Sequence, residues 1–161
     1  MPSFFITRLT FDNIADYDLI HSKLKIIRKY NSSALIKFYV LVGFEGVDGK
    51  DIENAFKRIE LLMMYHCLPY IMRFQNKNYA PWKESPYKGL YIALARWCNQ
   101  PSFFKKLSFR EYCDANQARI KTDSFTCSAK RALLEFEQDH PDISNRYFDL
   151  RYSDYNYRDF L

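Results

Sequence analysis

Glycine is scarce: Gly43, Gly46, Gly49 and Gly89 are the only four in 161 residues. A phosphate cradle made of successive backbone N–H groups needs a glycine-rich loop, so that class of nucleotide site is not indicated. The one cluster, Gly43-Phe44-Glu45-Gly46-Val47-Asp48-Gly49, lacks the Lys-Ser/Thr that ends a P-loop and reads as a strand-to-helix turn. Asp48 and Asp51 beside it read as helix caps rather than a catalytic pair. Metal-ligand spacing is lacking too. His66 and Cys67 are adjacent, and Cys98, Cys113 and His140 show none of the short paired spacings of structural zinc sites. No metal site is expected, and no local motif signals a Cys–His nucleophile. No apolar run approaches the roughly 18 residues of a membrane span. The opening residues, MPSFFITRLTF, have the form of neither a secretory signal nor a transit peptide. The expectation is a cytoplasmic protein, away from membranes, whose four cysteines are reduced and mostly buried.

What is present is aromatic. Thirteen Tyr, 14 Phe and 2 Trp make 18% of the chain, and tyrosine loads interfaces as readily as cores because its rigid apolar body ends in a polar tip. The length suits one domain with one core. Charge is uneven: residues 1–134 carry net +9 and residues 135–161 net −4. A basic body with an acidic end implies a surface that faces a polyanion, or an end that folds back on its own body.

Periodicity predicts a strand over Ser3–Phe11, with Phe5, Thr7, Leu9 and Phe11 on one face and Phe4, Ile6, Arg8 and Thr10 on the other. A helix follows from a cap at Asp16 to Tyr30, striped by Leu19, Ile20, Leu24, Ile26 and Ile27. Leu35–Phe44 is nearly all apolar and reads as a strand buried on both faces. A helix over about Asp51–Cys67 and a short strand over Tyr70–Phe74 complete two βαβ units, hence a parallel sheet. Gln75–Ser85 reads as a polar loop, and a helix runs from Pro86 to Cys98. Ser108-Phe109-Arg110-Glu111 is a capping box that opens another, and a last helix begins at Ser124 or Thr126 and stops at His140-Pro141.

The run Phe38–Phe44, Tyr70–Phe74, Leu94-Ala95-Arg96-Trp97-Cys98-Asn99 and the stretch Phe103–Cys113 together resemble the late strands and C-terminal element of radical SAM proteins common in bacterial and phage genomes. The resemblance covers roughly residues 5–115. It implies a partial, half TIM-like βα barrel of three parallel strands followed by a helical region. It also implies a cofactor wall at Leu41, Gly43, Ile71 and Met72. That wall is vestigial, because Tyr39 and Gly46 stand where the family's pattern has Gly and Glu. The family's C-x-x-x-C-x-x-C cluster motif is absent from this sequence, so neither a bound cofactor nor radical chemistry is expected of the chain.

Three strands cannot close a barrel, so the face of Leu35–Phe44 away from the helices needs a cover. The favoured cover is the helical region from Pro86 onward, with pairing of two copies as the second solution and a partner as the third. The expected organisation is one α/β domain over residues 1–144, with a βαβαβ half barrel over 1–74 and a helical cover over 75–144. An aromatic, acidic docking tail over 145–161 carries Tyr147, Phe148, Tyr152, Tyr155, Tyr157 and Phe160 as partner anchors. Basic residues for a nucleic acid or partner are Lys23, Lys25, Arg28 and Lys29, then Lys105, Lys106 and Arg110, then Arg119, Lys121, Lys130 and Arg131. Phe103, Phe104 and Phe109 beside them read as core. The leading expectation is a non-catalytic interaction protein that binds a host protein or ribonucleoprotein, as a phage-borne, anti-CRISPR-like inhibitor does. The alternatives are one part of a split radical SAM enzyme and an RNA- or DNA-binding module.

Overall fold

The computed structural model describes residues 6–44, 46, 48–117 and 129–161. Three parallel strands, β1 (Ile6–Thr10), β2 (Leu35–Val42) and β3 (Leu68–Arg73), lie in chain order with β2 central. Arg8 is level with Lys37, Thr10 with Tyr39, Tyr39 with Tyr70, and Leu41 with Met72. The crossovers are α1 (Tyr17–Tyr30) and α2 (Gly49–Met64). A 3-10 turn over Ile14–Asp16 precedes α1, and its cap is Asn13, whose side chain accepts from Ala15 N at 2.9 Å; Asp16 makes no side-chain cap bond.

One sheet face and the two crossover helices share the core. Ile36, Phe38, Val40 and Val42 of β2 pack with Ile20 and Leu24 of α1 and with Ile52, Phe56 and Ile59 of α2. The α1 stripe is narrower than its apolar residues suggest: Leu19 and Ile26 are 55% and 59% exposed, while Arg28 is buried. Asp48 caps α2, its carboxylate accepting from Lys50 N and Asp51 N.

Beyond β3 the chain is helical: α3 (Pro81–Glu84), α4 (Lys88–Cys98), α5 (Pro101–Phe104), α6 (Phe109–Gln117), α7 (Ala129–Asp139) and α8 (Pro141–Tyr147). α3 and the buried Trp82 occupy what reads in sequence as a polar loop. The capping box is present, with Glu111 N donating to Ser108 Oγ and Ser108 N to Glu111 Oε1. α4 packs on β3 and α7. The Asn99 side chain accepts from Ile71 N at 2.6 Å and donates to Ile71 O at 3.1 Å, which satisfies the free edge of β3 there. Cys67, Cys98 and Cys113 are free and buried, and burial pushes the thiols of Cys67 and Cys113 up to about 12. Cys127 lies outside the described residues, as do the expected helix starts at Ser124 and Thr126 and the strand start at Ser3.

Three expectations are corrected. β2 is not buried on both faces: it alternates, with Leu35, Lys37, Tyr39 and Leu41 only half-buried. The described helices from Pro86 onward extend the helical layer past β3, and among the described residues none covers the far face, with Tyr70 48% and Met72 46% exposed. Nor do residues 145–161 form a separate tail. The boundary falls inside α8, and Phe148 is fully buried against Phe56, Phe109 and Phe136 at ring distances of 5.0, 5.1 and 5.7 Å. Few aliphatics are needed there, because aromatic rings supply the apolar area themselves.

Candidate functional site

Two places on the sheet have the geometry of a site. The first is the cleft at the carboxyl ends of the strands, where α/β sheets usually bind. Asp12, Phe44, Asp48, Asp51 and Arg58 line it. Its Arg58 and Asp51 are engaged within the chain. The buried Arg58 donates to Phe11 O at 2.8 Å and Leu41 O at 2.9 Å. Asp51 accepts from Gly43 N at 3.0 Å and from the buried Tyr91 hydroxyl at 2.6 Å. Burial raises the Asp51 carboxyl above its usual range, and the hydrogen bonds from Tyr91 and Gly43 only partly oppose it. Burial and the same carboxylate raise Tyr91. A Tyr–Asp pair so arranged braces strand ends; it holds neither a free base nor an activated nucleophile. Among the described residues no group of three or more His, Cys, Asp or Glu is placed to hold a metal ion.

The second place is the open sheet face. Tyr39 and Tyr70 stand side by side on adjacent strands, ring centroids 5.8 Å apart and planes at 79°. Leu41 and Met72 lie beyond them toward the strand ends, and Arg8 and Lys37 lie two residues before. Arg8, Lys37, Tyr39 and Tyr70 line one hollow. No strand contains an acidic residue. Among the described residues neither Arg8 nor Lys37 has a salt-bridge partner. Arg73, at the end of β3, sits over the Trp82 ring at 4.6 Å.

The residues singled out from sequence are scattered. Leu41 and Met72 adjoin on the open face, but Ile71 points into the core and Gly43 is covered by Trp82. Gly43 has φ +73°, and a Cβ there would sit 2.7 Å from Trp82 Cβ, so its conformation and packing account for the glycine without a ligand. These four do not form one wall. Glu45, one position from where the family's Glu would stand, lies outside the described residues.

Of the basic residues, Lys23, Lys25 and Lys29 are exposed on α1, and Lys105 and Lys106 are exposed after α5. Arg28 is buried and donates to four backbone carbonyls. Arg110 is held by Glu137 at 2.7 Å and Asp149 at 2.9 Å. Lys130 pairs with Asp114, and Arg131 with Glu135. Arg119 and Lys121 lie outside the described residues. Phe104 and Phe109 are core and Phe103 is packed against it.

The expected partner anchors are turned inward. Tyr147 is buried with Phe148, while Tyr152, Tyr155, Tyr157 and Phe160 are half-buried on the core. Tyr152 stacks on His66 at 4.5 Å, Phe160 lies 6.0 Å from Tyr65, and the Arg28 guanidinium sits over Tyr157. Ion pairs Arg146–Glu60 and Arg151–Glu111 fasten this segment, so arginines of the acidic end meet glutamates of the basic body.

Sequence reasoning missed Arg8, Lys37 and Tyr70 as members of one surface. The signal was there in part, since period two puts Arg8 on the polar face of β1, but the strand register that gathers them is not local. No family model matches this chain, nor does any curated protein or solved structure.

Proposed function

We propose that this chain is a non-catalytic interaction module whose contact surface is the open face of its sheet, its partner being a protein or ribonucleoprotein of the host. The observation that carries this reading is the exposed Tyr70 and Met72 beside the half-buried Tyr39 and Leu41, flanked by Arg8 and Lys37. Exposed aromatics with an Arg nearby are typical anchors of interaction surfaces. The C-terminal aromatics, occupied within the chain, are set aside as the main contact. The test is affinity capture from the native source with the wild type, with Tyr70→Ser plus Met72→Ser, and with Lys23→Glu plus Lys25→Glu. The partner should be lost with the first pair and kept with the second. Loss only with the α1 pair would move the contact to the helix.

A second reading has its own support. Three parallel strands in chain order, with helices sharing one face, are what consecutive units of a βα barrel look like, and the open face would then be a barrel interior. On that reading the chain is one part of a split enzyme, and the cluster-bearing part is a separate polypeptide. Anaerobic reconstitution with a copurifying chain should then give visible absorbance that neither chain gives alone.

A further inference from the structure

We propose that the open sheet face takes single-stranded nucleic acid, a base stacking on the Tyr39–Tyr70 pair and the backbone phosphates meeting Arg8 and Lys37. The inference rests on the reading that this face is the contact surface, and it names the occupant.

Charge separates the candidates. Arg8 and Lys37 are level with each other on neighbouring strands, which run about 4.8 Å apart. Two cations so close repel unless a counter-charge sits over them, and no acidic residue lies on any strand to supply one. A second copy set face to face would bring the same two cations and no anion. The occupant the face calls for is therefore an anion of another kind.

The tyrosines narrow the anion. Tyr70 is 48% exposed, and the half-buried Tyr39 ring meets it edge to face, so the pair offers an aromatic surface that the described residues do not cover. An exposed tyrosine ring beside basic residues suits a strand whose bases are unstacked, because every base has a π-face. A duplex hides those faces in its stack, and an acidic peptide has no base to lay on the rings. Strand register fixes the order: cations toward the start of the strands, rings next, then Leu41 and Met72. This surface is separate from the lysines of α1 and from Lys105 and Lys106, which lie on other elements.

Fluorescence anisotropy with labelled oligo-U, oligo-dT, a duplex and a poly-Glu peptide of similar length tests the proposal on the full chain. The single strands should bind and weaken as salt rises, and the duplex and the peptide should bind far less. Tyr70→Ala should lower single-strand affinity about tenfold, within the range of a lost stacking contact, while Tyr70→Phe retains it. Lys37→Glu should lower affinity further and flatten the salt dependence. Lys23→Glu with Lys25→Glu should change little. Circular dichroism melts confirm that each variant is folded. Equal binding of poly-Glu, or single-strand affinity unchanged in Tyr70→Ala, overturns the stacking site. Absence of single-strand binding also overturns it; if the captured partner is still lost with Tyr70→Ser plus Met72→Ser, the contact surface itself stands with a protein as its occupant.

Discussion

At the scale of single residues, the buried cations are the fold's ties. Arg28 donates to the carbonyls of Ser32, Ala34, Tyr65 and His66, so one guanidinium joins the turn before β2 to the turn before β3. Removing it strands several carbonyls in a place that water reaches poorly. Arg28→Ala is expected to lower stability by about 3 kcal/mol in urea unfolding, and Arg28→Lys to recover only part, since an ammonium cannot span the same fork. A loss no larger than that of an exposed lysine, Lys25→Ala, would return Arg28 to the surface role its neighbours on α1 suggest. Asp51 gives a second prediction, in pH. Its folded carboxyl is raised, chiefly by burial, so the folded chain keeps a proton that the unfolded chain has already released. Stability from this group is therefore greatest below the usual Asp range and is lost as pH rises through the raised folded value. Asp51→Asn can still accept from Gly43 N and Tyr91. Its melting temperature should gain on that of the wild type between about pH 4 and neutrality. A gap that stays constant or narrows over that range overturns the argument.

Among elements, the last 3-10 turns, Tyr152–Asp154 and Tyr157–Phe160, act as a strap across the amino-terminal end of the sheet layer. Their aromatics rest on His66, Tyr65 and Arg28, and Tyr152 also lies 5.7 Å from Phe104. Ending the chain after Leu150 should cost about 3 kcal/mol, or roughly 6–12 °C in melting temperature for a chain of this size. A truncated chain that melts with the full-length protein would make the strap a free docking segment after all. This is also where sequence stops being legible. The three strands, α1, α2, the Asp48 cap and the capping box are local patterns of period, cap and turn, and they lie near where those patterns put them. Whether Phe148 faces inward is not local, because a charged, aromatic stretch reads the same as a strap or as an arm. The open face of β2 was hidden for a related reason. LIKFYVLV is apolar enough to be buried on both sides, and only the path of the described later helices leaves Tyr39 half-buried. The candidate site was legible only in fragments, with Arg8 as the polar end of a strand and Tyr39 as a departure from a family pattern.

For the whole molecule, the open face sets the question of self-association. A three-stranded parallel sheet with one side that no described residue covers invites a second copy, and two such faces set against each other would form a six-stranded enclosure. A twofold interface, however, places each patch against itself. Arg8 and Lys37 of one copy would then share a poorly solvated space with Arg8 and Lys37 of the other. The sheet has no carboxylate to neutralise the four charges, and desolvating unpaired cations costs more than the apolar contact of Tyr39, Tyr70, Leu41 and Met72 returns. The chain is therefore expected to sediment as a single copy at low salt and micromolar concentration. Salt that screens the cations should promote association only weakly. Arg8→Leu combined with Lys37→Leu should pair, because those substitutions leave the apolar face and remove what opposes it. Sedimentation velocity on the two proteins decides the matter. A wild-type dimer at low salt that Tyr70→Ser dissociates would mean that the face is built for its own copy, and the electrostatic argument would fail with it.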